Sequence, residues 1–181
     1  MTKILQLKIK LNGIKPYIWR RFLVEDKISF HKLHEIIQIV ISWENYNLYE
    51  FNVNGLEVGM PDEDYSEDIQ DSKTIKFSEV LKKEKQKFHY LYDFGDSWEH
   101  IIVVEKILEK YPQKCPVCIA GERTCPPEDC GGDWGYEELL KIRKNKNHPE
   151  YKEKIVGWLG KDFDPEHFDI NKVNKSLVIC K

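Results

Sequence analysis

Residues 88–107, FHYLYDFGDSWEHIIVVEKI, constrain the fold more than any other stretch. Phe88, Tyr90 and Tyr92 recur every second residue, Gly95-Asp96 permits a turn, and Trp98, His100, Ile102 and Val104 alternate again. A period of two puts each set on one face of a strand, and ring-bearing and branched side chains suit a pleated, half-buried surface. Two such strands joined at a turn form a hairpin. The chain must therefore build a sheet with a large aromatic face.

Other segments repeat the pattern. In ILQLKIKL, Leu5, Leu7, Ile9 and Leu11 share one face, and Gln6, Lys8 and Lys10 share the other. NGIKP reads as a turn and YIWRRFLVE as the returning strand. There, Trp19-Arg20-Arg21 reads either as a core ring with Arg20 and Arg21 reaching to solvent, or as a surface that stacks on a base and contacts phosphate. In YEFNVNGLEVG, Tyr49, Phe51 and Val53 alternate, and Asn54-Gly55 suits a tight hairpin turn.

Helices lie between and after the hairpins. Ser29 is placed to cap a helix through about Trp43, with Phe30, Leu33, Ile37, Val40 and Ile41 as the buried stripe. His31, His34, Glu35 and Gln38 fall towards its other faces. KFSEVLKKEK reads as a short helix, GYEELLKIRKN as another, and HPEYKEKIVGWLG as a third, with Pro149 in its first turn and Gly160 just past its end. FDPEHFDINKVNKSL adds one or two short helical turns. Residues 61–72, PDEDYSEDIQDS, hold six acids and no base and read as a mobile surface loop without the regular spacing of an EF-hand.

The order ββ-α-ββ-(α)-ββ, then a cysteine segment and helices, predicts an α+β fold. The expected architecture is a single mixed, mainly antiparallel sheet made of hairpins, with a β-grasp-like ββαββ start, helices packed on a face and C-terminal helices. One parallel pair between the first strand and a later one is expected. The expected organisation is one α+β domain over residues 1–181, with a Cys-rich loop at 111–135 and a helical C-terminal part at 136–181.

The net charge of −3 lacks the basic excess of a duplex-wrapping protein. The basic runs Lys82, Lys83, Lys85, Lys87 and Lys141, Arg143, Lys144, Lys146 read as solvated surfaces. No apolar run approaches the ~20 residues needed to cross a bilayer, and MTKILQLKIKLNG lacks the features of a signal peptide. The expectation is a cytoplasmic protein with no membrane partner. Thiols there stay reduced, so clustered cysteines point to metal or redox chemistry before disulfides.

Four of the five cysteines fall in CPVCIAGERTCPPEDCGG, spaced Cys115-x2-Cys118-x6-Cys125-x4-Cys130. A C-P-x-C pair suits a metal knuckle, and four thiolates would close a tetrahedral structural zinc site. His100, at a neighbouring strand, is a substitute ligand. A redox or disulfide pair, or thiols that fill space as small hydrophobes, are the alternatives. Cys180 reads as unrelated to the site.

YLYDFGDSWEHIIVVE, CPPEDCGG and GYEELL resemble the plasmid pRiA ORF-three-like family, and PYIWRRFLV and LHEIIQIVISW are similar to its N-terminal half. The resemblance covers nearly the whole chain. It implies an α+β domain of uncharacterised function and a setting among passenger proteins of insertion elements.

A second constellation is polar. Asp93, Asp96, Glu99 and His100 surround the turn in DFGDSWEH, and Glu128 and Asp129 lie in PPED. If the two segments meet, the carboxylates and histidine could bind a hard cation and activate water. The same residues could equally cap tight turns through their side chains. His31 and His34 lack the i, i+4 spacing of a metalloprotease helix, and neither a serine nucleophile elbow nor a phosphate-binding glycine loop appears. The reading is a non-enzymatic binding module with a zinc-braced cysteine loop, a protein or nucleic-acid partner and no organic cofactor. The alternative is a metal-dependent hydrolase using Asp93, Asp96, His100, Glu128 and Asp129.

Overall fold

The computed structural model of the chain describes residues 2–61 and 69–180. The alternating segments pair into one eight-stranded sheet. β1 (Ile4–Leu11) and β2 (Trp19–Glu25) form the first hairpin. β3 (Tyr49–Val53) and β4 (Leu56–Gly59) form the second, turned at Asn54 and Gly55 with φ of 55° and 89°. β5 is Gln70–Asp71, β6 Lys87–Tyr92, β7 Trp98–Leu108 and β8 Val117–Glu122. Their order across the sheet is β5-β4-β3-β6-β7-β1-β2-β8.

The sheet is mixed and mainly antiparallel, as the hairpin signals require. The parallel pair is not on the first strand, as expected, but at the far edge, between β4 and β5. β1 is antiparallel to both of its neighbours, because the β6–β7 hairpin enters between the two N-terminal hairpins. β7 is the longest strand and buries Trp98, His100, Ile102 and Val104 on one face. A strand apolar along one side for that length gains most from a central place, where helices cover it. Of the acidic segment 61–72, residues 62–68 lie outside the described residues; Gln70–Asp71 forms β5, and Ser72 is buried against the Tyr49 hydroxyl at 2.8 Å.

α1 (Phe30–Ile41) packs on the apolar face. Ser29 caps it, accepting from the Lys32 N–H at 3.1 Å, and Ser42 ends it in the left-handed conformation. The stripe Phe30, Leu33, Ile37, Val40 and Ile41 is buried as its spacing predicts. His34 and Gln38, expected on the outer faces, are buried too. They meet the tyrosine hydroxyls of the aromatic face: Tyr90 Oη lies 2.8 Å from His34 Nδ1 and accepts from Gln38 Nε2 at 2.9 Å. The polar positions of the helix thus satisfy the polar tips of rings that the strands bury.

After β5 come α2 (Phe77–Val80), α3 (Gly132–Lys144), a π-helix at Tyr151–Gly160, α4 (Ile170–Leu177) and a 3-10 turn at Val178–Cys180. The expected Cys-rich loop is in part a strand: Val117–Glu122 is the edge strand β8, paired with β2. Its outer edge is blunted by Asn174 of α4, whose Oδ1 accepts from the Cys118 N–H at 2.8 Å and whose Nδ2 donates to the Cys118 carbonyl at 2.9 Å. An edge capped in this way no longer templates another strand.

The expected core placement of Trp19 is reversed. Ile18, Arg20 and Phe22 face inward, while Trp19 lies on the wet face under Lys8, 4.4 Å from the ring centroid, with Arg21 on its flank. The two basic runs are solvent-facing for the most part. Among the described residues no helix is long and apolar enough to cross a membrane.

Candidate functional site: a cleft beside the cysteine segment

The period-two register of β2 sends Arg20 into the interior, where it is 3% exposed. A buried guanidinium costs several kcal/mol unless its donors are met. Here all five N–H groups are engaged. Nε donates to the Val40 carbonyl, Nη1 to the carbonyls of Trp19 and Glu122, and Nη2 to the Arg123 carbonyl and the Cys125 sulfur at 3.3 Å. The Phe168 ring covers the guanidinium at 4.1 Å. Gly121 makes this stack possible: a Cβ there would stand 2.7 Å from Phe168 Cε1 and 2.8 Å from Arg20 Cδ. One side chain thus ties together the end of α1, the end of β8 and the C-terminal segment.

Two further fasteners raise walls around this floor. Trp43, just past α1, donates from Nε1 to the Pro126 carbonyl at 2.8 Å and stacks on Tyr92 at 5.0 Å. Tyr92 Oη accepts from the Tyr46 N–H at 3.1 Å and donates to Glu128 Oε1, while Glu128 Oε2 accepts from the Glu44 N–H at 2.7 Å. Burial and the Glu128 bond push the Tyr92 phenol up to about 12, so it stays a donor. On the other side Arg123 grips Glu166 with Nε and Nη2 and donates from Nη1 to the Pro16 carbonyl. Thr124 adds bonds from its N–H to Pro165 and from its hydroxyl to Asp164 and His167, all to backbone carbonyls.

Between these walls lies a cleft of about 590 Å³. The segment after α1 (Ser42 to Tyr46), the cysteine segment (Thr124 to Asp129) and the C-terminal stretch (Leu159 to Val173) line it. Glu44, Glu128, Asp129 and Asp169 give it an acidic surface, with Tyr46, Phe163 and Phe168 among the rings. Tyr46 is 76% exposed and donates to Glu44 Oε2 at 2.6 Å.

The expected metal ligands lie on and around β8, and Cys118 and Cys125 share the Arg20 charge as a neighbour. Cys118 is a buried β8 residue whose sulfur faces the carbonyls of Arg21 and Ala120, and burial pushes its thiol up to about 11. Burial also raises the Cys125 thiol, against the pull of Arg20. Cys130 lies 3.7 Å from the Gly132 carbonyl, and burial, then the Asp96 charge, push it up to about 12. Cys115 is half-buried ahead of β8. The substitute ligand, His100, is buried among rings; its Nδ1 donates to the Tyr90 carbonyl at 3.3 Å. Among the described residues no three His, Cys, Asp or Glu side chains are grouped so that they could hold a metal ion. A structural zinc site needs four converging ligands with ionised sulfurs. Cys115, Cys118, Cys125 and Cys130, with His100, make no such group among the described residues. The C-P-x-C pair leads into β8, which pairs with β2.

The polar constellation does meet, as caps. Asp93 Oδ1 accepts from the N–H groups of Gly95 and Asp96, and its Oδ2 accepts from Asn47 Nδ2. Asp96 Oδ2 accepts from the Gly131 N–H at 3.1 Å, holding the DFGD turn to the start of α3. Each Glu128 oxygen accepts one bond, Oε1 from the Tyr92 hydroxyl and Oε2 from the Glu44 N–H. Asp129, with φ of 56°, opens onto the cleft instead. His100 faces the rings beneath, and its Nε2 has no hydrogen-bond partner among the described residues.

A family model described as "Plasmid pRiA4b ORF-3-like protein" matches residues 3–172. The chain belongs to that family. A family relative in Sinorhizobium fredii (strain NBRC 101917 / NGR234), "Uncharacterized protein y4hQ", is 32% identical over 179 residues, covering 98% of this chain and 92% of the relative. The crystal structure of a protein of unknown function, MM3350 from Methanosarcina mazei Go1, is similar with a TM-score of 0.85 at 38% identity, over 94% of this chain and 97% of that one. The pRiA4b ORF-3-like assignment agrees with the motifs in DFGDSWEH, CPPEDCGG and GYEELL, which here meet at one turn-to-helix junction.

Sequence reasoning missed Arg20, Arg123 and Tyr92 as the builders of the cleft. For Arg20 a signal was present: Ile18, Arg20 and Phe22 share the inward period-two face. The pairing of Glu128 with Tyr92 spans 36 residues and leaves no local pattern.

Proposed function

We propose that the chain is a non-enzymatic binding module that receives a protein partner in this cleft. The observation that carries the reading is the cleft itself, whose size falls in the range of about 300–1,000 Å³ common for ligand sites and whose walls are tied by Arg20, Trp43 and Arg123. Asp93 and Asp96 serve as acceptors for turn and helix-start N–H groups, which supports binding over the alternative of a metal-dependent hydrolase on Asp93, Asp96, His100, Glu128 and Asp129. The acidic lining repels phosphate and so favours a protein over a nucleic acid. An insertion-element setting, implied by the resemblance, fits such an accessory module. The bracing first ascribed to zinc falls in this reading to the Arg20 and Arg123 networks.

The test is an NMR screen of the 15N-labelled protein against a mixed peptide and fragment library. Hits should move amides of Ser42 to Tyr46, Thr124 to Asp129 and Phe163 to Lys172. Hits confined elsewhere, such as the apolar depression of 260 Å³ between Leu48, Met60, Leu91 and Phe94, would overturn the reading.

A further inference from the structure

We infer that the cleft recognises a basic peptide segment, taking a lysine or arginine side chain between the Tyr46 ring and the carboxylates of Glu44, Glu128 and Asp129. The inference rests on the binding role proposed for this cleft and names its ligand class.

The charge pattern is the first ground. Glu44, Glu128 and Asp129 share one rim, and among the described residues none of them has a lysine or arginine ion-pair partner. The contrast with Glu105, held by Arg21, and Glu166, held by Arg123, is local and specific. Like charges gathered without counter-ions raise the energy of the unbound surface, and an incoming cation relieves it. The cations that line the cleft do not cancel them. Arg20 has every N–H committed to carbonyls and a sulfur and lies beneath Phe168. Lys172 reaches the cleft from the first turn of α4 and is in no ion pair with these carboxylates among the described residues.

The second ground is that two of the three anions, Glu44 and Glu128, are held in place. Glu44 Oε2 is fixed by the Tyr46 hydroxyl, and both Glu128 oxygens are fixed by Tyr92 and the Glu44 N–H. A carboxylate already oriented loses little entropy when a cation arrives. Each still has lone pairs to offer a charged donor.

The third ground is the aromatic surface. Tyr46 is exposed beside the anions, and the rings of Phe163 and Phe168 line the same space. Ring faces with carboxylates form the pairing that accepts an organic cation, the face taking the alkyl stem and charge, the carboxylates taking the donors. A hydrated metal ion would use the carboxylates but not the rings. A peptide side chain uses both, and the open cleft leaves room for its backbone.

Isothermal titration of the full chain with two ten-residue peptides tests this, one of alternating lysine and glycine, one of alternating glutamate and glycine. Acetyl-arginine amide serves as a minimal probe. The lysine peptide should bind, with amide shifts in Ser42 to Tyr46 and Thr124 to Asp129, and the glutamate peptide should not. The Glu44→Gln, Asp129→Asn double variant keeps side-chain shape and should weaken lysine-peptide binding at least about tenfold, as the loss of two close charges implies. Tyr46→Leu should weaken it several-fold with the fold unchanged by circular dichroism. Equal binding of both peptides, or affinity untouched by the double variant, overturns the inference. If the lysine peptide fails while other library members still move the cleft amides, the ligand class is wrong and the binding role stands. If nothing moves them, both fall.

Discussion

Two buried histidines should make this protein sensitive to mild acid. His34 is 1% exposed, stacked on Tyr49 at 3.5 Å, with Nε2 against Asn45 Oδ1 and Nδ1 against the Tyr90 hydroxyl. The amide oxygen can only accept, so Nε2 carries the proton and Nδ1 accepts from Tyr90, which in turn accepts from Gln38. That neutral tautomer fills every bond, and a second proton would strip Tyr90 of its acceptor. The rings around it are His31, Tyr49, Tyr90 and Tyr92. His100 lies against the rings of Tyr90 and Trp43. Burial lowers both histidines from the ordinary 6.5 to about 4.

The sign follows from which state binds protons. Between pH 6.5 and 4 the unfolded histidines are protonated and the folded ones are not, so stability is complete above about 6.5 and falls as pH drops to 4. A shift of that size is worth roughly 3 kcal/mol per histidine in full, and about 2 kcal/mol each at pH 5. Together they remove about 4 kcal/mol at pH 5, a large share of the 5–15 kcal/mol typical of a domain. Glu105, whose carboxyl Arg21 holds below its usual range, contributes in the same direction only at lower pH, as its own proton returns. Urea denaturation at pH 7.5, 6 and 5 measures the slope, and His100→Leu should remove about half of it. An acid slope unchanged in that variant, with both imidazoles titrating near 6.5 by NMR, would refute the reasoning.

Arg20→Lys should destabilise the fold by roughly 3 kcal/mol or more, because three donors on a flexible stem replace five that meet four carbonyls and a sulfur; a change under about 1 kcal/mol in urea denaturation would contradict the network. Gly121→Ala should cost about 1–3 kcal/mol by displacing Phe168 from the guanidinium, and NMR should show the Phe168 ring shifts move towards random-coil values. Metal analysis of protein purified without added zinc should find well below one equivalent, with all five thiols titrating once the chain is denatured. Stoichiometric zinc released together with protected thiols would contradict the arrangement of Cys115, Cys118, Cys125 and Cys130.

Much of the fold was legible because two short periods carry it. The alternation in residues 4–11 and 88–104 gave the strands, Ser29 gave the helix cap, and Asn54-Gly55 gave the turn. Strand order was not legible, since hairpins state which strands are sequential neighbours and not which hairpin stands beside which. β8 was hidden because Cys115 and Cys118 invite a metal reading, and a six-residue edge strand has little periodicity to show. His34 and Gln38 looked outward because their polarity was read as solvation, whereas the tyrosine hydroxyls of β6 supply partners inside. At the site, the meeting of DFGD with the PPEDCGG segment was within reach of the sequence through its turn residues. Arg20 was marked only by its place between Ile18 and Phe22 in the period-two register, and a cation on the inward face defies the usual pattern until its acceptors are seen together.

The most direct test of the binding account is the contact map between the labelled protein and the lysine-glycine peptide. Isotope-filtered NMR should give nuclear Overhauser contacts from lysine ε-methylene protons to the Tyr46 ring, lost in Tyr46→Leu. Peptide contacts spread over other acidic surfaces, with none to Tyr46, Phe163 or Phe168, would contradict it.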